Sequence, residues 1–154
     1  MPLLRFAAPL IAVLVLALGW SAPAGAVDPK RVVTDSGIEA WLVEDHANPV
    51  LSVKFGFRGG VSLDPADKPG VANLVSGTLN EGAGDLPSQA FQEALAAKAI
   101  KMSFGAGHDD FAGTLKTLSE HRDRAFELLG LAVTEPRFDA EPVARVKSPG
   151  RANL

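Results

Sequence analysis

Alternating apolar and polar residues predict β-strands in the first half of the chain. The segments 38–43 and 50–57 both alternate, and a polar turn at 44–49 separates them. Such a pattern predicts either a β-hairpin or two neighbouring strands. The apolar positions of the second segment are Leu51, Val53, Phe55 and Phe57.

The second half of the chain contains another pair of predicted strands. Ile100, Met102 and Phe104 alternate with polar residues, and a turn at 105–109 leads into an apolar pattern over 111–118. Glycine and aspartate between two such segments favour an antiparallel hairpin.

Helical spacing marks the segment between these two pairs. Apolar side chains between residues 70 and 82 recur every three or four positions and predict one buried helix face. Pro69 favours a helix start, and Asp67 is the candidate cap. Gly82 and Gly84 predict the end of the helix. The apolar positions are Val71, Leu74, Val75, Thr78 and Leu79.

The same spacing predicts two further helices. The second runs from Ser88, its candidate cap, to about Lys98. The third begins at Ser119, again the candidate cap, and continues through Thr134. The buried stripe of the second helix is Phe91, Ala94, Leu95 and Ala99. The apolar face of the third helix is Ala125, Phe126, Leu129, Ala132 and Val133.

Composition excludes several classes of chemistry. The 154 residues allow one domain, and 47% of them are hydrophobic, which is enough for a packed core. The formal net charge of −3 argues against a basic surface for nucleic acid. Because the chain has no cysteine, disulfides, thiolate zinc sites and cysteine nucleophiles are excluded.

Residues 1–26 have the pattern of a secretory signal peptide. Arg5 provides a positive charge, residues 6–20 are almost wholly apolar, and residues 24–26 form a small-residue cleavage site. An uncleaved membrane anchor is the alternative, but Pro9 interrupts an apolar stretch that is already short for a bilayer. We therefore expect a periplasmic or secreted mature chain.

Few side chains suggest a catalytic or metal site. His108 is followed by two aspartates, a pattern that allows a metal or acid–base site. A polar hairpin turn is the simpler interpretation, because no second histidine stands at zinc-ligand spacing. His46 lies in a predicted loop, and His121 lies on a charged helix face. Glu81 and Asp85 are candidates for an acid–base pair, although a solvent-facing Glu81 is simpler.

Residues 64–72, with the sequence Asp-Pro-Ala-Asp-Lys-Pro-Gly-Val-Ala, carry a family signature. They resemble the lead-in to the inverted zincin motif H-x-x-E-H of the insulinase-like (pitrilysin, processing-peptidase) zinc peptidases. In active members the two histidines bind zinc and the glutamate is the general base. Here Asn73 and Gly77 stand at the histidine positions, and Ser76 stands at the glutamate position. These replacements argue against the chemistry of the family.

The resemblance implies the fold of the first peptidase domain of the family. It covers about Val32 to Phe138, where the order of predicted strands and helices matches that domain. We therefore expect an α+β fold over residues 27–147, with a mixed, largely antiparallel sheet and helices packed on one face.

The predicted domain is incomplete at its C-terminus. Asp139 is the candidate cap of a last helix, which the Ser-Pro-Gly sequence at 148–150 is expected to break. An irregular tail is expected at 148–154. The third zinc ligand of the family would fall near Asn153, so the resemblance leaves no ligand at that position either. Our hypothesis for this ending is a frameshift or truncation near Lys147.

The resemblance implies a chain without peptidase activity. We expect no catalytic, metal-binding or cofactor-binding residues in it, and zinc only in a partner. The first hypothesis is an accessory subunit that joins a zinc-bearing insulinase-like peptidase and helps it bind and process peptides. The alternatives are a non-functional truncated fragment, and a structural or binding module with no peptidase role. We expect no nucleic-acid partner and no stable membrane insertion after signal cleavage.

Overall fold

The computed structural model describes residues 28–151, and their side chains as far as Lys147. The predicted signal peptide at 1–26 and the position near Asn153 lie outside this range. The described residues separate into two compact units, with the boundary between Asp45 and His46.

The first unit contains a β-hairpin. Strand β1 (Lys30–Val33) pairs antiparallel with β2 (Glu39–Leu42) across a tight turn. Arg31 donates hydrogen bonds of 2.8 and 2.9 Å to the two carboxylate oxygens of Glu39. The prediction of a hairpin over 38–57 is therefore wrong, because the shorter connection lets β2 pair with the strand that precedes it.

The second unit contains the predicted strands and helices in the predicted order, with two additional short strands where a loop was expected. No helix of the described residues is both long and apolar enough to cross a membrane. The elements are β3 (Val50–Arg58), a 3-10 turn (Val61–Leu63), α1 (Val71–Thr78), β4 (Gly82–Ala83), β5 (Leu86–Pro87), α2 (Ser88–Ala96), β6 (Lys101–Ala106), β7 (Asp110–Leu118), a 3-10 turn (Ser119–His121), α3 (Arg122–Thr134) and α4 (Ala140–Arg151).

A three-stranded antiparallel sheet organises this unit, with the strands in the order β3-β7-β6. Strands β6 and β7 form the predicted hairpin. Strand β3 pairs with β7 along its whole length, from Val50 opposite Leu118 to Arg58 opposite Asp110. The α+β prediction is confirmed, and every strand pair among the described residues is antiparallel.

The core lies between one face of the sheet and the helices. In α3 the largest buried residue is Leu128, which was not predicted, whereas the predicted Phe126 and Val133 are 45% and 39% exposed. Ser119 begins a 3-10 turn instead of capping α3, which starts at Arg122. The predicted Ala125 and Ala132 are buried and Leu129 packs against the core, so contact with the sheet adds Leu128 to the predicted stripe and leaves out its two edge residues. The buried core consists of Ala83, Phe91, Leu95, Ile100, Met102, Leu115, Ala125, Leu128 and Ala132.

An aspartate outside the helix caps α1. The Asp64 carboxylate accepts hydrogen bonds from the Gly70 amide at 2.7 Å and from the Ala72 amide at 2.8 Å. The prediction of Asp67 as the cap is wrong, because the 3-10 turn after β3 brings Asp64 onto the first turn of the helix.

Helix α2 differs from its prediction at both ends. The residue before the helix is Pro87, and the Ser88 hydroxyl donates to the Glu81 carboxylate at 2.6 Å instead of capping the helix. Ala99 is exposed and lies beyond the helix with a φ of 49°. This left-handed conformation turns the chain towards β6, so Ala99 is not part of the buried stripe.

Helices α1 and α4 end elsewhere than predicted. Helix α1 ends at Thr78, before the predicted stop at Gly82, which begins β4. Helix α4 continues through 148–150 to Arg151, so the predicted break there is wrong. The proline at position 149 removes one backbone hydrogen-bond donor. Because it lies near the end of the helix, the turns that precede it still extend through it.

Replacing Asp64 with alanine is expected to lower the free energy of unfolding by about 1–2 kcal/mol, because two amides lose their acceptor. The matched control is Asp67→Ala, which should change it by less than about 0.5 kcal/mol since Asp67 is exposed. Urea denaturation followed by circular dichroism measures both. Equal losses in the two variants would contradict the role of Asp64.

The first hairpin is expected to weaken in acid. The hydrogen bond from Arg31 lowers the pKa of Glu39. The stabilisation that this pair gives the hairpin is therefore complete above the ordinary pKa of glutamate. It is lost as the pH falls through the lowered pKa of Glu39 in the folded hairpin. An NMR titration should show this low midpoint, and Arg31→Gln should return it to the ordinary range. An unchanged midpoint in that variant would refute the assignment.

Candidate functional site

Helix α1 carries all three residues that stand at the zinc-motif positions. Asn73 is exposed, whereas Ser76 and Gly77 are half-buried. Because residues three and four apart are neighbours on a helix, the structure brings the three positions together. The helix packs against strand β6 and against helix α4.

Ser76 uses its hydroxyl within its own helix. The Oγ atom donates a hydrogen bond to the carbonyl oxygen of Asn73 at 2.9 Å. A serine hydroxyl has no charge and no basic pKa near neutrality, so it does not accept a proton from water as a glutamate does. The residue at the general-base position, Ser76, therefore cannot act as a general base as a glutamate does.

Gly77 lets helix α4 approach α1 closely. A Cβ atom added to Gly77 would lie 2.8 Å from Cγ1 of Val146, which is closer than real Cβ contacts. Valine branches at Cβ and has one strongly preferred rotamer in a helix, so this methyl group does not turn away easily. The space for a side chain at the second histidine position is therefore occupied by α4.

A zinc ion does not fit these three positions. Zinc in proteins is bound by cysteine sulfur, histidine nitrogen and carboxylate oxygen. Asn73 offers a neutral amide, Ser76 a neutral hydroxyl, and Gly77 no side chain. Their chemistry and the closeness of Val146 lead to the same conclusion.

Glu81 joins the segment after α1 to helices α2 and α4. Its carboxylate accepts hydrogen bonds from the Ser88 hydroxyl at 2.6 Å and from the Arg145 guanidinium at 2.5 Å. Arg145 also pairs with Glu141 on its own helix. The hydrogen bond to Glu141, followed by the charge of Glu81, raises the pKa of Arg145. A solvent-facing Glu81 is therefore wrong, since its side chain is 21% exposed and bridges elements.

The alternative pair of Glu81 with Asp85 finds no support in the electrostatics. Asp85 is exposed and acts on Arg137, whose pKa is raised first by Asp139 and less by Asp85. The two carboxylates therefore serve different cations, and an acid–base pair between them has no basis here.

Two of the three histidines lie beside an acidic neighbour. His108 Nε2 is 3.8 Å from Asp109 in a turn where both side chains are 81% exposed. His121 lies 3.9 Å from Glu120. Within residues 28–151, no group of three or more histidine, cysteine, aspartate or glutamate side chains is placed to hold a metal ion. The polar-turn interpretation of His108 agrees with this geometry.

An open cleft of about 610 Å³ lies beside α3. Its cations already have partners: Arg124 pairs with Glu127 at 2.6 Å, and Arg137 pairs with Asp139 at 2.8 Å. Both arginines of the cleft are therefore already neutralised by neighbouring carboxylates. It is lined by Gly84, Asp85, Leu86, Arg124, Glu127, Leu131, Glu135, Pro136 and Arg137.

The sequence analysis did not identify three residues of α4 that shape the α1 site. Glu141 and Arg145 stand four apart, a spacing that indicates an ion pair on a helix and was visible in the sequence. The contact of Val146 with Gly77 joins distant parts of the chain and has no local signal.

Gly77→Ala is expected to lower the free energy of unfolding by about 1–3 kcal/mol, because the new methyl group overlaps Val146. The matched control is Gly130→Ala in α3, where no atom lies within 4 Å of an added Cβ. Alanine is the better helix former, so the control should gain up to about 1 kcal/mol.

The double variant Gly77→Ala/Val146→Ala separates packing from helix propensity. It should be more stable than the sum of the two single changes predicts, because the shortened side chain makes room for the new methyl group. Urea denaturation of all four proteins measures this coupling. If Gly77→Ala is as stable as the control, the close packing of α4 on α1 is disproved.

Comparison with known sequences finds one informative similarity. No family model matches the chain. Over 105 residues, which are 68% of its length, it is 32% identical to the "Non-peptidase homolog YmxG" of Helicobacter pylori. The chain spans 24% of that relative.

Solved structures of the same fold come from peptidases and an inactive relative. The peptidase M16 inactive domain from Pseudomonas fluorescens is 28% identical with a TM-score of 0.75, and the alignment covers 82% of this chain and 31% of that one. Two others show the fold alone. A Helicobacter pylori protease has 16% identity and a TM-score of 0.67, over 82% of this chain and 31% of that one. Pitrilysin has 21% identity and a TM-score of 0.69, over 86% and 14%.

The fold, the replaced motif on α1 and these similarities agree. Active members of the family use H-x-x-E-H, and this chain has Asn73, Ser76 and Gly77 in its place. The chain belongs to the insulinase-like (M16) peptidase family, and its zinc-motif positions lack the residues of active members.

Proposed function

We propose that this chain is an accessory subunit that helps a zinc-bearing insulinase-like peptidase bind and process peptides. The observation that carries the proposal is that helix α1 is intact without the residues of its zinc motif. It keeps its cap at Asp64 and its packing on β6 and α4, although Asn73, Ser76 and Gly77 do not fit zinc catalysis. A helix that is maintained without its chemistry retains a structural or binding role.

The sheet edge beside α1 supports a role in holding peptides. Strand β6 is an outer strand of its sheet, so one side of its backbone pairs with no strand of residues 28–151. Outer strands bind extended peptides by accepting them as an additional strand. Because β6 packs against α1, a peptide added there lies close to the former motif helix.

Two relatives support a non-catalytic role. The Helicobacter pylori relative is a non-peptidase homolog, and the Pseudomonas fluorescens structure is an inactive domain. The chain spans less than a third of each, so the partner and substrates are part of the proposal. We also propose that the mature chain is periplasmic or secreted, supported by the pattern of residues 1–26.

The purified mature chain is expected to bind no zinc and to cleave no peptide by itself, since its α1 residues offer neither ligands nor a base. Mixed with a zinc-bearing insulinase-like peptidase encoded in the same genome, it should raise the hydrolysis rate above that of the peptidase alone. Elemental analysis and a fluorogenic peptide assay measure these two quantities.

The control is the same mixture with the motif glutamate of the peptidase replaced by glutamine, which should be inactive if all chemistry belongs to the partner. Zinc in equal amount to the chain, with hydrolysis by the chain alone, would overturn the non-catalytic assignment. An unchanged rate, with no complex in size-exclusion chromatography, would refute the accessory role while leaving that assignment intact.

A further inference from the structure

The outward face of the three-stranded sheet brings lysines together. Side chains alternate between the core and the outward face, and the outward residues Lys54, Lys101 and Lys116 are all exposed. Lys101 lies directly opposite Lys116 in the β6–β7 ladder. Lys54 lies opposite Thr114 in β7, which makes it a diagonal neighbour of Lys116. These three residues are termed the lysine face.

This arrangement places like charges close together. Directly opposite residues of an antiparallel pair have Cβ atoms about 5 Å apart, and diagonal neighbours are about 7–8 Å apart. Like charges that are directly opposite destabilise a sheet, so Lys101 and Lys116 repel each other. Among the described residues, no ion pair involves any of the three lysines.

The neighbours on this face are neutral. Ser52 lies opposite Lys116, and the hydroxyls of Ser103 and Thr114 share a hydrogen bond of 2.7 Å. The acidic residue of these strands on this face is Asp110, and it lies opposite Arg58 at the other end of the sheet. The lysine face therefore carries three positive charges without a counter-charge on its own strands.

Composition does not account for this cluster. The chain has 18 acidic and 15 basic residues, so acidic side chains were available for these positions. A face with lysines and carboxylates intermixed would have less repulsion between its lysines, because cross-strand pairs of opposite charge stabilise a sheet. A cluster of like charges destabilises the sheet that carries it. A ligand that supplies the missing negative charge accounts for such a cluster.

We propose that the lysine face binds an acidic segment of a partner polypeptide. Carboxylates of that segment pair with the three ammonium groups, and the serine and threonine hydroxyls offer neutral hydrogen bonds between them. Nucleic acid fits less well, because specific DNA-binding proteins neutralise about 6–10 phosphates and this face offers three lysines on a chain of net charge −3.

The test uses the mature chain in buffer of low ionic strength, with a short oligoglutamate peptide as the probe and oligoglutamine of the same length as its control. Oligoglutamate should bind more tightly, and its affinity should fall as salt is added. The triple variant Lys54→Gln/Lys101→Gln/Lys116→Gln should weaken binding about tenfold. Fluorescence anisotropy measures each affinity.

A matched variant separates the lysine face from net charge. Lys68, Lys98 and Lys147 are exposed elsewhere, and replacing all three with glutamine changes the formal charge equally. This control should weaken binding by less than about twofold. Equal losses in both triple variants would overturn the proposal, as would equal binding of oligoglutamate and oligoglutamine. Tighter binding of a single-stranded oligonucleotide through the same lysines would also overturn it.

Thermal unfolding verifies that the variants are folded. Because the substitutions remove repulsion across the β6–β7 ladder, the midpoint should stay equal or rise. The single variant Lys116→Gln, at the centre of the face, provides the same binding test with one change. None of these measurements involves the zinc-bearing peptidase, so they stand independently of the accessory role.

Discussion

The close approach of α4 to α1 at Gly77 determines whether α1 has space for a side chain at the second histidine position of the zinc motif. A side chain at this position would overlap Val146, and the ion pair of Glu81 with Arg145 joins the segment after α1 to α4. Packing therefore occupies a position where active members of the family have a zinc-binding histidine. The replacement is thus more than the loss of a ligand, because the fold relies on the absence of a side chain.

The two faces of the three-stranded sheet follow opposite physical rules. The inward face buries Met102 and Leu115 against helices, and burial of apolar surface stabilises that side. On the outward face, Lys101 and Lys116 oppose each other without a carboxylate between them. Burial of apolar surface accounts for the first face, whereas for the second we propose an acidic ligand. The outer position of β6 adds a backbone edge beside both the motif helix and the lysines.

Local pattern predicted the elements of this protein better than their connections. The alternation at 50–57 and at 111–118 predicted two strands that are present, yet the pairing of β3 with β7 joins distant parts of the chain. The expected hairpin over 38–57 failed because period-two alternation identifies a strand and does not name its partner. The prediction of Asp67 as the cap is wrong for a similar reason. The carboxylate that caps the helix belongs to Asp64, which a preceding turn places beside the helix, and helix spacing does not show this.

The sequence by itself determined the family and the absence of zinc-peptidase residues, because Asn73, Ser76 and Gly77 lack the required donors whatever the fold around them. It also determined the α+β class, since apolar periodicity is a local property. The tertiary structure alone decided that Val146 occupies the space beside Gly77, that Glu81 binds Arg145, and which strands bring the lysines together. These are contacts between distant segments, and only the packing of the whole unit sets the distances between them.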